Sequence, residues 1–350
     1  MKAKNITRKT KTKTIITFIV IVLSIMFINS HLISYQFFNE DGTKTDFDAI
    51  VQASKDYDII FFGEQHTDPI GHWLEYRLLK ALYDNDSTNV IVGMEMFEAD
   101  GQLLIDEYFN GFISQKSFEK EIRLWKNYET DYKPILEFAK ENKLRFVATN
   151  IPRRYASSVA KKGLAFLDTL DSESKKFVAP LPIEFDSDLK VYKELAEMMG
   201  GGNSHGGKHE GTVKIDTTNP KSMHTPKGMV QAEKDSVQKA TEKEMKEMQK
   251  MMKNHGLAHI AEAQAVKDAT MAHFILKNFE DGKKFIHYDG SKHSDYHEGI
   301  VWYIKQKRPD LKILVISSVQ QENLDSLTTE NKELGDFILV TPEDMTQTYR

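Results

Sequence analysis

The sequence predicts an α/β fold: a parallel-rich mixed sheet flanked by helices, with a small helical subdomain and an N-terminal hydrophobic signal or anchor. Three observations predict it. Short apolar runs such as Ile59-Ile60-Phe61-Phe62 alternate along the chain with stretches whose apolar residues recur at helical spacing. The composition, 40% hydrophobic and 28% charged over 350 residues, is that of a globular chain able to bury one large core or two small ones. A cluster of cations directly precedes an apolar run at the N-terminus.

Taken in order, Lys2, Lys4, Arg8, Lys9, Lys11 and Lys13 lead into the run from Ile15 to Ile28, broken only by Thr17 and Ser24. That pattern is an export signal, cleaved or retained as a membrane anchor, with its basic side left in the cytoplasm. The remaining chain is then exported, membrane-anchored or periplasmic. A polar stretch at 39–48 follows. The first strand is expected at 59–62, ending in Gly63, and a helix at 69–83 with Pro69 in its first turn and Trp73, Leu74, Leu78 and Leu82 on one face. A second strand is expected at 90–94, helices around Leu103 to Tyr108 and at 134–140, and a third strand at 144–148. A helix should start near Pro152 and stop at Gly163, and another should cover 189–199. Further on come a long helix at 258–279 capped by Gly282, a strand at 285–288, a helix at 295–307 with Asp295 and Glu298 in capping-box spacing, and strands at 312–318 and 337–340.

Residues 1–34 therefore form the signal or anchor and 35–350 an α/β domain, interrupted by an insertion at about 200–255. There Gly200, Gly201, Gly202, Gly206 and Gly207 sit among His205, His209 and His224, with almost no branched apolar residues. Its Met245, Met248 and Met252 recur at helical spacing; they suit either a packing face or soft-metal capture.

Composition excludes several classes of function. The net charge of −5, with acids and bases interleaved, offers no basic field for a nucleic acid. The absence of cysteine rules out disulfides, thiolate metal sites, iron–sulfur clusters, a cysteine nucleophile and covalent c-type haem attachment.

Ligands of open α/β sheets bind beyond the carboxyl ends of the strands, so those positions are the candidates. The first strand runs into Gly63-Glu64-Gln65-His66, where positions two apart face the same way and pair a carboxylate with an imidazole. Glu95 stands alone between Met94 and Met96, and a buried carboxylate requires a partner or a cation. A later strand ends in Gly290-Ser291-Lys292-His293, repeating Gly-x-x-His. Glu64, His66, Glu95 and His293 are thus the candidate catalytic set. Within it His66, Glu95 and His293 are the candidate ligands of a divalent metal such as zinc, manganese or iron, whose bound water would be the nucleophile of a hydrolase. A hydrogen-bonded network without metal is the alternative use of the same residues.

At these residues the chain resembles the haem-binding uptake family of ChaN-like proteins. The matching segments are 61–69 (FFGEQHTDP), 93–98 (GMEMFE), 149–154 (TNIPRR), 263–268 (AQAVKD) and 290–295 (GSKHSD), which together span most of the chain from about residue 57 to 344. The resemblance implies a parallel-rich α/β sheet, haem as ligand and a part in iron acquisition. The same motifs resemble a wider superfamily containing erythromycin esterases and Wnt-cleaving membrane metalloproteases, in which the positions matching Glu64, His66, Glu95 and His293 carry hydrolysis. Two readings follow, an exported haem-binding protein of haem and iron uptake and a metal-dependent hydrolase; a scaffold with a vestigial site is the third. For haem, Arg153 and Arg154 are candidate cations for the propionates or for a substrate carboxylate, with Glu64 or Glu95 as their alternative partner. Tyr155, Tyr296, His297 and His72 are candidate axial ligands. The partners expected are haem or another small molecule and, through the N-terminal segment, a membrane; a homodimer holding haem between its two copies would leave the slot incomplete in one.

Overall fold

The computed structural model describes residues 33–86, 89–198 and 259–349. Residues 1–32 of the expected signal and the whole insertion at 200–255, with its histidines and methionines, lie outside the described residues. Among the described residues no helix is long and apolar enough to cross a membrane.

One eight-stranded mixed sheet organises the described residues. Its strands are β1 (Gln36–Asn39), β2 (Lys44–Thr45), β3 (Ile59–Glu64), β4 (Val90–Glu98), β5 (Arg145–Asn150), β6 (Lys284–Gly290), β7 (Ile313–Gln321) and β8 (Phe337–Pro342), in the order β2-β1-β8-β7-β3-β6-β4-β5. From β8 to β5 all neighbours are parallel, and β1 and β2 add an antiparallel edge. That edge lies partly in the stretch expected to be polar connection. Phe37 and Phe38, both buried, anchor it.

Strand parity divides the core. Ile60, Phe62, Val92, Met94, Ile286 and Tyr288 face one layer, with Leu74, Leu78 and Leu82 of α1 (Pro69–Asn85) and Ile135 and Leu136 of α2 (Lys133–Glu141). Ile59, Phe61, Ile91, Phe285, Ile313 and Val315 face the other, with Met271 and Ile275 of α3 (Ile260–Asn278) and Ile300 and Ile304 of α4 (Ile300–Lys307). Because both faces are covered, the central strands are continuously apolar rather than alternating. They stay so until their carboxyl ends.

Several expectations are corrected. Trp73 does not share the buried face of α1; it is 47% exposed, because the buried face runs through His72, Leu74, Glu75, Leu78, Leu79 and Leu82 and leaves Trp73 at its edge. The long helix ends at Asn278 and is capped by the extended Phe279, so Gly282 is not its cap. The helix expected at 295–307 is broken: Asp295–His297 form a single tight turn, Tyr296 and His297 take positive φ, and α4 starts only after Gly299. Asp295 therefore makes no capping box; its carboxylate accepts from Ser317 at 2.6 Å and pairs with Lys292 at 3.1 Å.

Candidate functional site

The carboxyl ends of β3, β4 and β6 meet around Gly290, which lies opposite Glu64 in the parallel register. Glu64 ends β3 on the α1 face. Its Oε1 accepts from His66 Nδ1 at 2.7 Å and from the Tyr132 hydroxyl at 2.8 Å. Tyr132 closes a one-turn π-helical segment, Tyr128–Tyr132, a conformation that often marks functional positions. His66 lies just past the strand, edge-on to Trp125 with ring centroids 4.9 Å apart, and its side chain is 44% exposed. A Cβ on Gly290 would stand 2.7 Å from His66 Cε1, 2.9 Å from its Nε2 and 3.6 Å from Glu95 Oε2. Only glycine lets the imidazole lie against this strand end.

Glu95 has the opposite parity and faces α3. The β4–β5 register shifts between Met94 and Glu98, and Asn150 Nδ2 donates to the Glu95 carbonyl at 3.0 Å. The Glu95 carboxylate accepts the Gly290 backbone N–H at 2.8 Å and pairs with His293 Nε2 at 3.2 Å. His293 Nδ1 bonds in turn to Asp268 of α3, and Asp268 accepts from the Tyr192 hydroxyl at 2.7 Å. Burial alone would neutralise His293, but Glu95 and Asp268 outweigh it and push its pKa up to about 10. Burial likewise works against Glu95, and His293 holds it far below the usual carboxylate range. The result is an imidazolium clasped between two buried carboxylates.

Glu64, His66, Glu95 and His293 thus come to one rim, although the two carboxylates approach it from opposite faces of the sheet. His66, Glu95 and His293 do not form a compact donor set: His293 Nε2 is directed at Glu95 and His66 Nδ1 at Glu64. The candidate haem contacts are more scattered. Arg154 pairs with Asp100, after β4, at 2.6 Å and covers the Tyr155 ring at 4.5 Å, so its acid is neither Glu64 nor Glu95. Arg153 is exposed at the start of the helix Arg153–Lys162. Tyr296 and His297 leave the β6 end toward β8: the Tyr296 hydroxyl donates to Glu194 at 2.9 Å beneath Lys190, and His297 faces Asp336 at 3.2 Å. His72 is buried in α1, behind Glu64 and out of reach of a haem at the rim, which removes it as an axial ligand.

Sequence reasoning missed Tyr132, Asn127, Gln264 and Asp268. Asn127 Nδ2 donates to the His66 carbonyl at 2.7 Å, and Gln264 Nε2 stands 3.1 Å from His293 Nδ1. Gln264 and Asp268 did carry a signal, since both fall in the segment 263–268 (AQAVKD) on which the family resemblance rests. Tyr132 and Asn127 carried none. A cavity of about 500 Å³ lined by Val90, Asn142, Arg145 and Lys283 lies at the amino ends of β4 and β5, away from all of these groups; chemistry places the site at the other end.

Beneath the rim, His287 and Asp289 form a second buried pair, 2.9 Å apart. The Thr149 hydroxyl donates to the Met94 carbonyl at 2.9 Å, so His287 Nε2, 2.8 Å away, is the donor to Thr149. With the ring held neutral by burial, Nδ1 carries the lone pair and Asp289 donates to it as a neutral acid. Burial pulls the His287 pKa down to about 3 and pushes Asp289 well up from its ordinary 3.8. The folded pair holds one proton. Unfolded, it holds one between pH 3.8 and 6.5, none above and two below, so the pair opposes folding above pH 6.5 and below 3.8 and is pH-neutral between. Asp289→Asn keeps a donor at Nδ1 but removes the titrating acid. It should remove the alkaline loss and begin the acid loss at pH 6.5, at about 1.4 kcal/mol per pH unit, checked by denaturant unfolding at pH 5 and pH 8. Stability curves of the same shape for both proteins would contradict the proton placement.

An open, mostly parallel α/β sheet with carboxylates and imidazoles at the carboxyl ends of its central strands has the layout in which α/β proteins hold small ligands. A family model described as haem-binding uptake, Tiki superfamily, ChaN matches residues 50–304, and the chain belongs to that family. A solved structure described as cofacial haem binding to ChaN of Campylobacter jejuni is 17% identical, covers 88% of this chain and 96% of its own, and superposes with a TM-score of 0.56. An erythromycin esterase structure is 12% identical, with 89% and 83% of the two chains covered and a TM-score of 0.41. No curated protein matches the chain.

Proposed function

We propose that this protein is an exported haem-binding protein of haem and iron uptake, tethered to or released from a membrane through residues 1–34, with the haem iron facing Nε2 of His66. Membership of the haem-binding uptake family over residues 50–304 carries the haem reading. The placement rests on His66. Its Nδ1 is committed to Glu64, so in the neutral ring Nε2 holds the lone pair that an iron requires; burial is outweighed by Glu64, which raises the His66 pKa, so the iron displaces a proton there, and the ring is the half-exposed imidazole of the rim. Tyr296 is a weaker ligand, since burial and Glu194 push its phenol pKa up and disfavour the tyrosinate. The outward cations are Arg153 and, if a propionate displaces Asp100, Arg154. A homodimer stacking two haems face to face would match the cofacial arrangement named for the Campylobacter jejuni protein.

Adding haem to the purified full chain should give a saturable Soret change. His66→Ala should shift the band and weaken binding about tenfold or more, as loss of an axial ligand does. Absence of a saturable change removes the haem reading; an unaltered spectrum in His66→Ala removes only the ligand assignment.

The Glu64–His66 pair also supports a hydrolytic reading. A carboxylate fixing Nδ1 of a half-exposed imidazole whose Nε2 lies against Gly290 is the geometry of an oriented general base, able to take a proton from water at the rim. In that reading Glu64→Gln and His293→Ala should abolish ester turnover.

A further inference from the structure

The α1 side of Glu64 holds a cluster that the haem reading leaves unused. His72 Nδ1 stands 3.1 Å from Glu75 Oε2 and 3.4 Å from Glu64 Oε2. All three residues are buried, and their donor atoms lie within 4.8 Å of one another. Two carboxylate oxygens of the cluster, Glu64 Oε2 and Glu75 Oε1, are buried without any hydrogen-bond partner. Such orphans cost free energy unless a proton shared by the two carboxyls or a bound cation occupies the space between them.

The spacing fits a metal. Zinc bonds of about 2.0–2.2 Å in tetrahedral geometry hold their donors about 3.3–3.6 Å apart, close to the two separations seen. The groups behind the donors fit as well. His72 Nε2 faces the His66 carbonyl at 3.2 Å and Asp131 Oδ2 at 3.3 Å, so it can keep its proton there and leave Nδ1 free to ligate. The other oxygen of Glu64 is fixed by His66 and Tyr132, and Asp131 by Asn127 at 2.6 Å and Thr348 at 2.7 Å. Outer carboxylates and carbonyls that orient an imidazole in this way are the usual support of a metal centre.

We propose that Glu64, His72 and Glu75 bind a divalent cation of the zinc class through His72 Nδ1, Glu64 Oε2 and the two oxygens of Glu75. The ion joins the end of β3 to α1 and is structural, since none of its ligands reaches solvent. It goes beyond the haem reading and involves different donors from His66, Glu95 and His293.

The test uses the purified, haem-free full chain and zinc alone as probe. Wild type should retain zinc through dialysis, and at a hundredfold excess over Kd its melting temperature should rise by about 5–10 °C. Glu75→Gln, which keeps the shape and removes the ligand charge, should lose one equivalent and that rise while binding haem as wild type does. Equivalents unaffected by Glu75→Gln belong elsewhere in the chain. Zinc-free wild type with an unchanged melting temperature overturns the proposal, as does a Glu75→Gln protein with the same zinc content and thermal shift. Because the haem titration is separate, failure of one reading leaves the other standing.

Discussion

Replacing Glu95 with alanine is expected to cost about 3–5 kcal/mol of stability, the usual price of breaking a buried ion pair from one side. The carboxylate is the acceptor for the Gly290 N–H and the counter-charge to His293 Nε2, and both are buried with it. Truncation strands the amide and leaves an imidazolium facing Asp268 alone. For a domain of this size the melting temperature should fall by about 6–20 °C. Glu95→Gln retains an acceptor for Gly290 and should cost less. In a double-mutant cycle, Glu95→Ala and His293→Ala together should destabilise less than their sum by at least about 1 kcal/mol, because the second change removes the charge that the first left unpaired. Thermal or denaturant unfolding of the three variants checks this. Additive losses below about 1 kcal/mol each would mean that the pair is not ionised in the folded chain.

The second large effect is at Gly299, where the sequence and the structure predict opposite signs. Read as the middle of a helix at 295–307, Gly299→Ala should stabilise by about 1 kcal/mol. In the structure Gly299 has φ +54° and ψ −120°, a conformation closed to side chains, and a Cβ would stand 2.3 Å from the His293 carbonyl oxygen. Neither backbone can yield without moving the other, so the change should destabilise by about 3 kcal/mol or more. It should also disturb the site, since the displaced backbone is that of His293. Unfolding of the variant decides between the two signs, and a haem titration reports whether the rim moves with it.

The fold was legible where the signal is local. The runs at 59–62, 90–94 and 285–288 announce buried parallel strands, and Leu74, Leu78 and Leu82 announce the inner face of α1. The antiparallel edge was not legible, because β1 and β2 are four and two residues long and only the exposed edge of β8 makes them strands. The continuous helix at 295–307 failed for a related reason. Asp295 is drawn to Ser317 and Lys292, and the Tyr296 N–H to the Leu334 carbonyl, all tertiary partners that outcompete a helical turn. The site was half legible. Glu64, His66, Glu95 and His293 stand out as polar residues where an apolar strand ends, and the desolvation cost of Glu95 demands a partner whatever the fold. Which partner is another matter: Arg154 was free to meet Glu64 or Glu95 and instead meets Asp100.

By itself the sequence determined that this is an α/β chain with its chemistry at the carboxyl ends of the strands, because hydrophobic period and the cost of burying charge are properties of short segments. Only the tertiary structure decided that Glu64 answers to the α1 face and Glu95 to the α3 face, that Asp268 and Tyr132 complete them, and that Gly290 leaves room for His66. Those outcomes depend on strand parity and on atoms brought together from more than two hundred residues away, and no local pattern encodes such distances.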